Sequence, residues 1–112
     1  MADTPLKEKK TFSYAEATAL LPQVQRLTAR AYQHVEELRP RAEGGARDAQ
    51  QQIDEALAEW ARSILALGVD VKGLWLVDFD SGSGYYCWKH PEPGLHFFHS
   101  YEEGFRGRIP IQ

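Results

Sequence analysis

Apolar positions recur every three or four residues as far as Gly68, and beyond it they recur every second residue. In the first part Val24, Leu27, Ala31, His34 and Leu38 are spaced 3, 4, 3, 4, with Leu20 continuing the series upstream. Ile53, Leu57, Trp60, Ile64 and Leu67 are spaced 4, 3, 4, 3. Both rows are seams of the coiled-coil kind. Ser13 stands three residues before Glu16, the reciprocal capping pattern of a helix start. Proline inside a helix loses a hydrogen bond and crowds the preceding turn. The pattern therefore predicts a short leading helix over about Tyr14 to Leu20 and a second helix that starts or kinks at Pro22. The second runs towards Leu38 and is ended by Pro40 with Gly44-Gly45, and a third spans about Ala46 to Leu67. A short linker folds the two long helices into an antiparallel hairpin. Leu38 then meets Ala49, His34 meets Ile53, Leu27 meets Trp60 and Val24 meets Ile64. Leu21, Tyr32, Val35 and Leu65 fall off the seam and form a second stripe that something else must cover.

In the second part "GLWLVDFD", "YYCWKH" and "LHFFH" are separated by the turn signals "SGSG" and "PEPG". They predict a three-stranded antiparallel meander with Asp80 opposite Tyr85 and Asp78 opposite Cys87. Alternation puts Trp75, Val77, Phe79, Tyr86, Trp88 and His90 on one face, directed at the helices. Leu76, Asp78, Asp80, Tyr85, Cys87 and Lys89 take the other, expected to face solvent, a ligand or another subunit. If "PEPG" is a four-residue loop, His96 lies across from Lys89 on the polar face and His99 joins the aromatic face near Tyr86. The expected class is α+β: a helical hairpin with a short leading helix, packed on a small three-stranded meander. One domain is expected over 1–112, with a flexible terminus at 1–11, helices in 12–67 and the β part with an irregular tail in 68–112.

Composition changes this picture little. At 112 residues the chain supports a single core, and 43% hydrophobic with 26% charged residues is ordinary for a globular protein. A net charge of −3 leaves no basic footprint for nucleic acid, and the run Lys7 to Lys10 reads as a solvated tail. No stretch of about 18 apolar residues exists to span a membrane, and the polar N-terminus lacks a signal-peptide core, so a cytoplasmic location is expected. The single cysteine excludes an internal disulfide and the paired-cysteine spacing of most structural zinc sites.

The chemistry-bearing residues cluster in "YYCWKHPEPGLHFFH" and the tail "YEEGFRGRIPIQ". His96 and His99 are three apart, which on a strand points them to opposite faces. A divalent transition metal held by some of Asp78, Cys87, Glu92, His96 and His99 is one reading, and no other cofactor is expected. A catalytic thiol is disfavoured, since Asp78 across the hairpin raises the pKa of Cys87 and the expected register keeps His90 and His99 away. Phe105, Ile109 and Ile111 are expected to cover open core. Arg106 and Arg108 are expected to pair with Glu92, Asp78 or Asp80, or else to bind a small anion with His99. The leading expectation is a small binding domain that self-associates as a homodimer through the leftover stripe and the exposed sheet. A metal-binding domain or metalloenzyme, and an enzyme acting on a small anion, are the alternatives.

The ordered set "FSYAEATALLPQV", "GVDVKG", "LVDF", "CWKHPEPGLHFFH" and "GFRGRIPI" resembles a bacterial family, the domain-of-unknown-function family numbered 2203, over Phe12 to Ile111. The matching positions are Glu16, Pro22, Asp78, Cys87, Trp88, Glu92, His99, Gly104, Gly107 and Pro110. This chain departs from the family at Thr18, where Asn is usual, and at Asp80, where Pro is usual. It also has about two fewer residues between Lys72 and "LVDF". The resemblance implies a helical hairpin joined to a small β unit and no particular activity. It singles out Asp78, Cys87, Glu92 and His99, to which Trp88, Arg106 and Arg108 are added as the candidate site.

Overall fold

The computed structural model describes residues 10–111. Most of the segment expected to be a flexible terminus lies outside these residues. Lys10 lies over the ring of Phe12, which is buried and donates its N–H to Asp80 O at 2.7 Å.

Among the described residues two helices, not three, precede the sheet: α1 (Tyr14–Glu43) and α2 (Arg47–Ala66). The capping box at Ser13 and Glu16 forms as expected, in both directions. The separate leading helix does not form, because Pro22 and Pro40 both sit inside α1. Pro22 and Thr18, whose carbonyl loses its donor, lie at the exposed surface, while Leu21 and Val24 on the opposite side are buried. One hydrogen bond is lost there, and core packing on both sides of it carries the helix through. Gly44 and Gly45 end α1, the latter at φ 96°, a conformation that favours glycine.

The hairpin closes along the predicted seam. Val24, Leu38, Ala49, Ile53, Trp60 and Ile64 are buried, and Trp60 Nε1 donates to Thr28 Oγ1 at 2.8 Å. His34 is exposed. Leu21 and Val35 of the second stripe are absorbed into the core beneath the sheet, which leaves only Tyr32 and Leu65 of that stripe exposed. Tyr32 in turn packs on Trp75 and His90. No described helix is long and apolar enough to cross a membrane.

Among the described residues the sheet has five strands in sequential antiparallel order: β1 (Asp70–Gly73), β2 (Leu76–Asp80), β3 (Tyr85–Lys89), β4 (Phe97–His99) and β5 (Ile109–Pro110). β1 is an additional strand that precedes the first predicted one, whose start at Leu74 and Trp75 forms the turn into β2 instead. It pairs irregularly with β2, through a turn in which Trp75 adopts φ 61°. That turn sends the indole into the core against Trp60, with ring centroids 5.1 Å apart. β2 and β3 pair as predicted, Asp78 with Cys87 and Asp80 with Tyr85. Val77, Phe79 and Trp88 form the buried apolar face.

The pairing of β3 with β4 differs from the expectation by one residue. Tyr85 opposes His99, Tyr86 opposes Phe98 and Cys87 opposes Phe97. The connection is longer than four residues because Glu92 takes over the end of β3. Its side chain accepts from Lys89 N at 3.0 Å and its carbonyl from Trp88 Nε1 at 2.8 Å, in a turn that contains the cis His90–Pro91 bond. With Lys89 N occupied, the ladder stops, and every residue of β4 lies on the face opposite to the one expected. Phe105 and Ile109 do not cover core; they are 40% and 58% exposed.

The Trp60–Thr28 bond supplies a test of the seam. Thr28→Val strands the buried indole N–H and is expected to cost about 1–3 kcal/mol. The same change made in a Trp60→Phe background is expected to cost much less. Urea unfolding of the four proteins measures the difference.

Candidate functional site

The outer face of the sheet, expected to face solvent, a ligand or another subunit, is covered at its centre. Asp78 is 1% exposed, Cys87 0% and His99 4%. They stand on three adjacent strands, β2, β3 and β4, and one ligand-type atom from each lies within 4.8 Å of the others. The one-residue register difference is what adds His99 to the Asp78–Cys87 pair.

The C-terminal segment crosses over this face. Tyr101 donates its hydroxyl to Asp80 Oδ1 at 2.6 Å. Arg108 lies over the Phe97 ring and ion-pairs with Glu92 at 2.8 Å, both side chains largely buried. Its Nη1 also approaches Cys87 Sγ, at 4.0 Å.

Hydrogen bonding fixes the protons of the Asp78–His99 pair. His99 Nδ1 lies 2.8 Å from Ser100 O, which can only accept, so Nδ1 carries a proton. His99 Nε2 lies 2.9 Å from Asp78 Oδ2, a contact that needs a second proton on one side or the other. The pair is therefore neutral overall, as imidazolium with carboxylate or as imidazole with carboxylic acid. Asp78 Oδ1 is buried with no hydrogen-bond partner. Burial raises the pKa of Asp78, against the opposing pull of His99, the Cys87 thiol and Lys72.

Burial first, and the charge of Asp78 second, push the Cys87 thiol up to about 12, although Arg108 acts in the opposite direction. A thiol enzyme needs a thiolate with a base aimed at it. Both nitrogens of His99 are already engaged, so no nucleophile–base series runs through Cys87.

The remaining candidates are separated from the triad or reach it indirectly. Glu92 is the turn residue and partner of Arg108, so it touches the site only through that guanidinium. Trp88 is a core side chain that clamps the Glu92 carbonyl. His96 and Arg106 are exposed. The anion trio of Arg106, Arg108 and His99 does not assemble, since Arg108 and His99 each hold a carboxylate and Arg106 points into solvent. Sequence reasoning missed Ser100 and Tyr101; their only signal was adjacency to His99.

Two outcomes follow from this geometry. Native protein is expected not to react with a disulfide reagent at pH 8, and to react with one equivalent in denaturant. Because the folded thiol pKa lies above the unfolded value of roughly 8.5, stability from this group is complete below that pH and is lost as pH rises towards 12. Second, His99→Phe leaves the Asp78 carboxylate buried and unpaired, at an expected cost of about 3–5 kcal/mol. Adding Asp78→Asn is expected to return part of that loss in thermal or chemical melts.

No curated protein and no solved structure matches the chain. A family model described as "Uncharacterized conserved protein (DUF2203)" matches residues 10–111, which span every element of the fold and all three residues of the triad. The chain belongs to that family.

Proposed function

We propose that the protein is a metal-binding domain that holds one divalent transition ion, of the zinc class, between Asp78, Cys87 and His99. The observation that carries this reading is the convergence of three different ligand types inside a dry sheet face, with one carboxylate oxygen unpartnered. Three further features support it.

The donor set is one thiolate, one imidazole and one carboxylate, which suits a borderline-soft ion. Its two negative charges match a dication, so the loaded site is neutral. His99 presents Nε2 to the site while Nδ1 is fixed by a backbone carbonyl, the outer contact that metal-ligating histidines make. The geometry is within reach of coordination: bonds of about 2.0–2.3 Å place tetrahedral ligand atoms roughly 3.3–3.8 Å apart. The widest separation in the triad, at most 4.8 Å, then closes by about 1 Å. The high thiol pKa is no obstacle, because a coordinating ion displaces the thiol proton outright. With three protein ligands, a fourth position remains for water or an exogenous group, unless Asp78 binds through both oxygens.

The test uses untagged full-length protein equilibrated with Zn²⁺ and analysed for bound metal. One equivalent is expected for the wild type, and much less for Cys87→Ser and for His99→Gln. At free Zn²⁺ near 100 times the dissociation constant the native state gains about 2.7 kcal/mol, which corresponds to a melting shift of about 10 °C for a chain of this size. Substoichiometric metal, with melting unchanged by chelator, overturns the reading.

A further inference from the structure

The contact between Arg108 and Cys87 is a polar feature of this face that the three proposed ligands leave unexplained. Resting on the metal-binding reading, we propose that Arg108 is a positioning residue that donates an N–H to the Cys87 sulfur and sets how strongly that sulfur gives charge to the ion.

The guanidinium is fixed from several directions. Its Nη1 donates to both oxygens of Glu92, at 3.1 and 2.8 Å. The guanidinium carbon lies 3.9 Å from the centroid of the Phe97 ring and 4.1 Å from that of Phe105. Phe97 is also the cross-strand neighbour of Cys87, so the same ring lies beside the sulfur and under the arginine. The backbone that follows Arg108 is tied down as well. Ile109 pairs with Phe98, and Ile111 N donates to His96 O at 2.8 Å. Glu92 is in turn anchored by Lys89 N, two residues from Cys87 on β3.

A planar guanidinium held by a carboxylate and two rings keeps little freedom. Nη1 has two N–H groups; with Glu92 as its tight acceptor, it still reaches Cys87 Sγ at 4.0 Å, the outer limit for a hydrogen bond to sulfur. The roughly 1 Å contraction expected on coordination rearranges the triad beneath a donor that is already in place. Hydrogen bonds to a ligating sulfur withdraw charge from it and tune the metal. This assigns distinct jobs to two residues that the sequence suggested as ligand or anion binder. Arg108 acts on the sulfur, and Glu92 holds Arg108.

The experiment loads the full-length protein with Co²⁺ and records the sulfur-to-cobalt charge-transfer band together with thermal melting. The wild type is expected to show the band. Arg108→Met is expected to move it to longer wavelength, because a sulfur relieved of the N–H gives charge more readily. Arg108→Lys, which keeps a donor, is expected to return the band part of the way. Glu92→Gln retains the acceptor for Lys89 N but loosens the guanidinium, and is expected to shift the band in the same direction as Arg108→Met. If Arg108→Met does not fold, Glu92→Gln decides. A lower melting temperature with an unmoved band means a purely structural clamp and overturns the proposal while leaving the metal site standing. A wild type that binds Co²⁺ without the band, or does not bind it, overturns the metal reading itself.

Discussion

The structure of the β part depends on what Glu92 does with Lys89. A strand continues only while its N–H groups find the next strand, and here the last one in β3 finds a carboxylate instead. That single diversion ends the ladder and sets where β4 begins. Because side chains alternate, the position of β4 to within one residue decides which face His99 joins. In the observed register it completes a triad with Asp78 and Cys87; one residue away it would pack among the aromatics near Tyr86. Glu92 also holds Arg108 above the same face. One side chain therefore fixes both the floor and the roof of the site.

The energetic character of the two sheet faces differs accordingly. The face on the helices is held by apolar burial, with Trp60, Trp75, Phe79 and Trp88 as its largest contributors. The other face buries Asp78 and His99, and each ion taken from water costs several kcal/mol unless it is matched. Sharing a proton makes the pair neutral and recovers most of that cost, but Oδ1 of Asp78 is left without a partner. Stability alone would be served better by two apolar residues of similar volume. A neutral, dry, incompletely satisfied cluster is instead well prepared for a ligand that supplies charge and accepts lone pairs.

Much of this was legible in the chain. The seams of α1 and α2 follow from spacing, and Asp78 opposite Cys87 follows from counting outward from "SGSG". What escaped was set by contacts without a period. Proline rules break α1 at Pro22, yet the residue lies on the wet side of a helix whose dry side is continuous. β1 is four residues with a single large apolar side chain, Val71, and it ends in a turn that only the left-handed backbone of Trp75 makes possible. Alternation alone puts His99 on the opposite face, because the length of the "PEPG" connection depends on a side-chain hydrogen bond. The closure of the outer face by Tyr101 and Arg108 depends on how an irregular tail returns, which alternation does not describe.

The margins of the sheet carry a consequence of their own. At one margin β1 is short, bears Lys72 and pairs irregularly with β2. At the other, β5 is two residues long and one of them is Pro110, which has no N–H to offer. Short edge strands, a charged side chain on the edge and proline all disfavour templating of an incoming strand. Among the described residues, both edges of the sheet therefore carry features that discourage strand addition. Beside the β5 edge the side chains of Phe105 and Ile109 are exposed, so that edge offers side-chain surface rather than a long backbone ladder.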